Sequence, residues 1–253
     1  MADPRALFDL TGRVACVTGA SSGLGRQAAS ALAAAGASVV GVARREAELL
    51  QWQNDIGSKA GIVVADIAKR GQVSEIATAI SHPFGPPDIM VHAAGLNTRE
   101  TADDVTDDGW DATLAINLSA PFFLSQALIG PMKDKGWGRI VNFASLQTTR
   151  AFPGGIAYGT TKAGIAQMTR AMAEAWSGHG ITANAIGPGF FPTELTAPVF
   201  DDPARADRNA AQTCIGRNGR LEDMDGPLLF LCSEASSYVT GQVLMVDGGY
   251  TAK

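Results

Sequence analysis

Short runs of Val, Ala and Ile alternate along the chain with longer stretches whose apolar residues recur every three or four positions. Residues 14–17, 38–42, 61–65, 88–92, 139–143, 182–186 and 243–246 read as short buried strands. Residues 23–35, 45–54, 72–80, 110–132, 157–176 and 223–232 carry helical periodicity. The first helix is alanine-rich and stops at Gly36, as a helix C-terminus should. Strands without polar alternation, separated by helices, predict a parallel sheet covered on both faces. Right-handed crossovers then give a doubly wound α/β sheet. Its ligands would lie outside the carboxyl ends of the strands, so residues just after a strand are the site candidates.

Composition narrows the class. Charged residues are 18% of the chain and hydrophobic residues 46%, which excludes a disordered protein. A net charge of −5 without a basic block argues against a nucleic-acid partner. No continuous apolar run reaches the ~18 residues of a membrane span. Residues 1–10 carry Asp3, Pro4 and Arg5 and no apolar core of a secretory signal. Cys16, Cys214 and Cys232 are widely spaced, which predicts free buried thiols in a reducing cytoplasm. His82, His92 and His179 form no metal-binding set. No linker or composition break divides the 253 residues, so one domain over 1–253 is expected.

The 29 glycines are the compositional excess. Thr18-Gly19-Ala20-Ser21-Ser22-Gly23-Leu24-Gly25 directly follows the first strand and opens the first helix. Gly19 suits the tight turn, Gly23 clears the approach of a pyrophosphate, and Gly25 lets helix and sheet close up. The helix N-terminus offers free N–H groups and partial positive charge to phosphates. An ordinary βα turn can hold glycines too, but the position between strand and helix is what dinucleotide binding on a Rossmann-type sheet requires. After the second strand, Ala43 stands where an NAD site would place an acid, and Arg44 and Arg45 follow. Guanidinium groups suit a 2′-phosphate, so NADP is expected over NAD. Asp66 and Ile67, after the third strand, are expected at the adenine edge and face.

Tyr158 and Lys162 are four apart, on one helix face. A free phenol near pKa ~10 is a poor base at neutral pH, and a nearby cation favours the phenolate. Ser145, just past the strand at 139–143, could hold a substrate carbonyl beside the tyrosine. Asn117 is an amide in mid-helix and needs a partner, either a water in a proton relay or a backbone group. Phe143-Ala144-Ser145-Leu146-Gln147 lacks the elbow of a serine hydrolase.

These motifs together resemble the short-chain dehydrogenase/reductase family over Leu10 to Gly249. The resemblance implies that Tyr158 exchanges the proton, Ser145 positions the carbonyl oxygen, and Lys162 lowers the Tyr158 pKa and holds nicotinamide ribose hydroxyls. It implies that Asn117 supports a water-linked relay. Ala93, Ala94 and Gly95, with Pro188, Gly189, Phe191 and Thr193, would border the nicotinamide half of the cofactor, and Ser21, Ser22 and Leu24 the phosphates. The family's usual N-N-A-G is His92-Ala93-Ala94-Gly95 here; His92 is read as a strand-end packing residue. The segment at about 188–215 is the expected substrate lid. A homotetramer is implied by the likeness of residues 239–249 to the family's last strand and tail. The two long helices, apolar on more than one face, fit a subunit interface.

Gly189-Phe190-Phe191-Pro192-Thr193-Glu194-Leu195 and Asp201-Asp202-Pro203 resemble the subgroup that interconverts gluconate and 5-ketogluconate. Gln147 and Phe190 are expected at the substrate, and Arg99 or Arg150 could pair with a carboxylate. A 3-oxoacyl-thioester reductase or broad carbonyl reductase is the alternative, favoured by Phe190, Phe191, Leu146 and Phe152. A non-catalytic dinucleotide sensor would be expected to lack Tyr158 or Lys162.

Overall fold

The computed structural model describes residues 3–253; Met1 and Ala2, the start of the segment read as lacking a secretory signal, lie outside the described residues. Seven strands form one parallel sheet: β1 (Val14–Thr18), β2 (Ser38–Ala43), β3 (Ala60–Val64), β4 (Ile89–His92), β5 (Gly138–Phe143), β6 (Ile181–Pro188) and β7 (Val243–Val246). Their order across the sheet is β3-β2-β1-β4-β5-β6-β7. The chain reverses its direction of travel between β1 and β4, so the crevice beyond their carboxyl ends is the switch point. There Thr18 lies in register with His92.

Alternation along each strand feeds two cores. Ala15, Val17, Val39, Ile89, Val91 and Val141 face one layer, which holds α1 (Gly23–Ala34), α2 (Glu46–Ile56) and α9 (Asp225–Cys232). Cys16, Val40, Met90 and Ile140 face the other, built from α3 (Val73–Ser81), α5 (Ala120–Lys135) and α6 (Ile156–Trp176). Every predicted strand is present, with bounds that differ by at most two residues. Before α5 runs α4 (Asp107–Leu114), whose N-cap Thr106 accepts from the Gly109 amide, and between them a π turn over Ala115–Ser119. The predicted helix 110–132 is thus a longer Asp107–Lys135 rod with one widened turn.

That rod is apolar enough by length and composition to cross a membrane, with 44% of its most apolar window buried in the fold. Asn117, Ser119 and Ser125 interrupt it, which is why no continuous run met the sequence criterion. Leu124, Leu128, Ile129 and Met132 make its sheet-facing stripe. The segment after β6, the expected lid, also holds α7 (Ala197–Phe200) and α8 (Pro203–Gln212). Asp202 caps α8 by accepting from the Arg205 amide, with Pro203 in the first turn, a start signal that was legible. The cysteine expectation needs one correction. Cys16 and Cys232 are buried, their thiols pushed up to about 12 by burial, but Cys214 is exposed because its turn runs over the surface beside Gly249.

His92 ends β4 under α5, as a packing residue should. Its Nε2 lies 2.8 Å from the Ser125 hydroxyl, while Nδ1 has no partner. Its register neighbour on β5, Asn142, donates to Thr169 and leaves its own Oδ1 unpaired. Burial drives the His92 pKa down to about 3, against the ordinary 6.5 of the unfolded chain. The unfolded chain therefore binds a proton that the native one refuses as pH falls from about 6.5 toward about 3. Stability should decline across that window at up to ~1.4 kcal/mol per pH unit. Denaturant titrations at several pH values check this: His92→Asn should flatten the slope, and an unchanged slope would refute the assignment.

Candidate active site

The glycine turn is shaped by backbone approach. Gly19 has φ +75°, and a Cβ there would stand 2.8 Å from Cα of Ala94. β1 and the loop after β4 can only meet over a glycine. The Ala94 amide donates to Thr18 Oγ1 at 3.3 Å, a tie across the switch point. Gly25 brings α1 onto the turn itself, since its Cβ would lie 2.3 Å from the Gly19 carbonyl oxygen. Gly23, at φ +53°, faces Thr193 of the segment after β6, 3.1 Å from where its Cβ would be. Gly189 abuts the β7 tail, where a Cβ would meet Cα of Asp247 at 2.8 Å.

A cavity of about 740 Å³ runs along this edge. Its walls include Gly19, Ser21, Ser22, Gly23, Leu24 and Gly25, then Arg44, Arg45, Asp66 and Ile67. Further on come Ala93, Ala94 and Gly95, with Pro188, Gly189 and Thr193. Asp66 accepts from the Ala68 amide at 3.1 Å, which fixes its carboxylate at the rim. Arg44 is exposed and, among the described residues, makes no ion pair. Arg45 is engaged: Nε and Nη2 donate to Ser21 Oγ at 3.2 and 3.0 Å, Nη2 to Ser22 Oγ at 2.6 Å, and Nη1 to Glu194 at 2.9 Å. Phe191 is 3% exposed and packs over Gly219, so its side chain is chiefly core. A long groove with bare glycine backbone, hydroxyls and guanidinium groups at one end fits a phosphorylated dinucleotide.

At the other end stand the residues expected to handle the proton. Ser145 begins a short 3-10 turn after β5, its hydroxyl accepting from the Gln147 amide at 3.1 Å. Thr148 Oγ1 bridges the Ser145 amide and the Lys162 carbonyl. Lys162 is 4% exposed and its Nζ donates to the Phe143 carbonyl at 2.6 Å. Asn117 sits on the π turn, a widened turn of the kind found at functional sites. Its Nδ2 donates to the Leu96 carbonyl at 2.8 Å and to Thr161 Oγ1 at 3.1 Å, and its Oδ1 accepts from the Leu96 amide at 2.8 Å. Thr161 in turn donates to the Tyr158 carbonyl at 2.7 Å. Bonded to the Leu96 backbone on one side and the Thr161 hydroxyl on the other, the amide clamps the loop after β4 to the tyrosine helix.

Burial pushes the Tyr158 phenol up, while the Ser145 hydroxyl and then the Arg99 charge pull it down. Lys162 Nζ lies 5.5 Å from the Tyr158 ring, and burial lowers its own pKa to about 8. The ammonium is thus protonated at neutral pH but bonded to a carbonyl.

A model of the family described as Enoyl-(Acyl carrier protein) reductase matches residues 19–251. Gluconate 5-dehydrogenase of Gluconobacter oxydans is 39% identical over 248 residues, 97% of each chain. A 2-dehydro-3-deoxy-D-gluconate 5-dehydrogenase of Escherichia coli is 36% identical, over 97% of this chain and 98% of its own. Among solved structures, a gluconate 5-dehydrogenase from Burkholderia cenocepacia, in complex with NADP and tartrate, superposes with a TM-score of 0.94. It shares 36% identity and covers 99% of this chain and 100% of its own. The chain belongs to the short-chain dehydrogenase/reductase family.

Within this short-chain dehydrogenase/reductase, the cavity walls separate the two candidate arginines and bring in residues that no local sequence pattern places at the site. Arg99 lines the cavity, and it is a non-glycine residue at positive φ, +58°, with Nη2 on the Leu195 carbonyl. Arg150 does not line it; it donates to the carbonyls of Thr251 and Lys253 in the tail. Glu194, Arg205 and Asn209 were missed. They come from the segment after β6, whose fold back over the groove no local pattern announces. Gln147 and Phe190 both line the cavity. The Gln147 amide oxygen rests against Gly155, whose Cβ would overlap it, and Phe190 stacks edge-on with Phe152 and Tyr250.

Proposed function

We propose that this enzyme interconverts a ketone and a secondary alcohol on a polyhydroxy carboxylate of the 5-ketogluconate/gluconate kind, with NADP(H) as its dinucleotide. The observation that carries the substrate class is Arg99. A guanidinium held at the cavity wall, close enough to act on the Tyr158 phenol, gives a carboxylate substrate a charge partner beside the proton donor. The names of the relatives support the same class. NADP rests on Arg44 and Arg45 at the groove's end, on the lack of an acid at Ala43, and on NADP in the Burkholderia relative.

When bound, the dinucleotide supplies or accepts the hydride. Ser21, Ser22, Leu24, the three glycines of the turn, Arg44, Arg45, Asp66 and Ile67 would hold its adenosine phosphate half. Ala93, Ala94, Gly95, Pro188, Gly189, Phe191 and Thr193 would border the other half, and Lys162 would hold its ribose hydroxyls. Tyr158 gives its phenolic proton to the carbonyl oxygen in reduction and takes it back in oxidation. Ser145 donates a hydrogen bond to that oxygen, Gln147 and Phe190 contact the substrate, and Asn117 keeps the loop and the tyrosine helix in place. One catalytic domain over residues 1–253, with the lid at about 188–215, belongs to the same reading. So does a cytoplasmic homotetramer without nucleic-acid or membrane partners. The half-covered apolar rod Asp107–Lys135 and the open β7 edge, with Leu244 exposed, support subunit contacts.

A panel of 5-ketogluconate, neutral keto-sugars, acyl thioesters and cyclic ketones, each with NADPH and NADH, tests this. Arg99→Ala should raise KM for 5-ketogluconate ~10- to 100-fold, the worth of a charge-assisted hydrogen bond, and leave a neutral keto-sugar nearly unchanged. Equal loss on both would overturn the role of Arg99; turnover of 5-ketogluconate no better than that of simple ketones would overturn the substrate class.

A further inference from the structure

Arg45 is the groove cation whose hydrogen-bonding edges are already filled. Its Nη1 donates to Glu194 at 2.9 Å, and Ser22, which accepts from Arg45 Nη2, donates back to the other Glu194 oxygen at 3.1 Å. Arg45, Ser22 and Glu194 thus close a ring of hydrogen bonds between the glycine turn, the start of α2 and the segment after β6. Residues 45 and 194 are 149 apart in sequence. Glu194 follows Thr193, whose methyl faces Gly23, so the carboxylate is carried to the phosphate end of the groove by that packing.

We propose that Glu194 is a specificity-determining residue for the cofactor: of the two carboxylates beside Arg45 Nη1, Glu194 at 2.9 Å and Glu48 at 3.9 Å, it is the one hydrogen-bonded there, and an incoming 2′-phosphate must compete with it. This rests on the NADP reading given above. A dianionic phosphate drawn to Arg44 and Arg45 arrives beside a carboxylate already on Nη1, and like charges at that range oppose one another. A 2′-hydroxyl brings no charge and meets no such opposition. Glu194 therefore narrows the gap between the phosphorylated and unphosphorylated cofactors, and Arg44, free of an ion pair among the described residues, is left to make up the attraction. The pairing is also visible in ionisation: the Arg45 hydrogen bond holds the Glu194 carboxyl below its usual range, so the carboxylate is charged across the neutral range. The side chains are 40% and 66% exposed, so the effect is modest and screened by salt.

Calorimetric titration with adenosine 2′,5′-bisphosphate and with 5′-AMP separates the charge effect from catalysis. Glu194→Gln keeps the shape and removes the charge. It should tighten the bisphosphate ~3- to 10-fold at low salt, with the gain shrinking at high salt, and leave 5′-AMP within about 2-fold. In an Arg45→Gln background the gain should vanish, since it acts through that guanidinium. A bisphosphate affinity that is unchanged, that falls, or that shifts equally with that of 5′-AMP would overturn the proposal. The wild-type protein reports on the NADP reading separately. If it binds the two nucleotides equally, that reading fails whatever Glu194 does.

Discussion

Tyr158→Phe should reduce kcat by ~10²- to 10⁴-fold, the usual contribution of a positioned proton donor, and leave NADPH affinity within a few-fold. The ring stays, so its packing stays; only the hydroxyl at the cavity is lost. No neighbour can take over the proton. Ser145 accepts from the Gln147 amide and is a far weaker acid, and Lys162 is bonded to the Phe143 carbonyl. The pH dependence has a defined sign. Burial raises the Tyr158 phenol, so near neutrality it is protonated, the form that reduction needs. Oxidation needs the phenolate and should accelerate as pH rises. Steady-state rates in both directions across pH, with cofactor binding followed by fluorescence, check both statements. Retention of turnover in the Phe variant would sink the mechanism.

Gly25→Ala should cost both stability and cofactor binding, although it adds one methyl group. That methyl would lie 2.3 Å from the Gly19 carbonyl oxygen and 2.7 Å from its carbon, both backbone atoms at the tightest point of the turn. Neither can rotate away. Relief requires α1 to lift from the turn, and the free amides at its start move with it. Overpacking of this kind costs ~1–3 kcal/mol, which for a chain of this size lowers the melting temperature by roughly 3–10 °C. The lifted helix start should weaken NADPH at least ~10-fold, because phosphate recognition depends on those amides. Gly71→Ala, with nothing within 4 Å of the added Cβ, is the control and should change neither. A Gly25→Ala protein with wild-type melting and wild-type affinity would show that the turn tolerates the displacement.

How far the sequence could be read depended on the range of the interaction concerned. Each strand was legible because an apolar run of four to six residues bounded by turn residues is a local signal. The glycine turn, Tyr158 and Lys162 were legible because their chemistry is set by spacing within one turn or one helix. Asn117 was noticed as an unsatisfied amide, but its partners, Leu96 and Thr161, lie 21 and 44 residues away. Cys214 misled because an apolar neighbour, Ile215, suggests burial; the turn that carries both is exposed, Ile215 at 64%. Between the two candidate arginines nothing local discriminated, since both look like solvated cations until the chain is folded.

By itself the sequence determined the order of the strands, the groove at the switch point and which residues are the candidates to handle the proton. Periodicity, turn chemistry and helical spacing act over a few residues and survive without any partner. Only the tertiary structure decided that Arg99 faces the cavity and Arg150 the tail, that Glu194 sits on Arg45, and that His92 is walled off from protons. It also placed the Tyr158 phenol in a buried position beside the Ser145 hydroxyl and within reach of the Arg99 charge. These depend on distances between residues far apart in the chain and on the water excluded around them, and neither quantity exists until the sheet has closed.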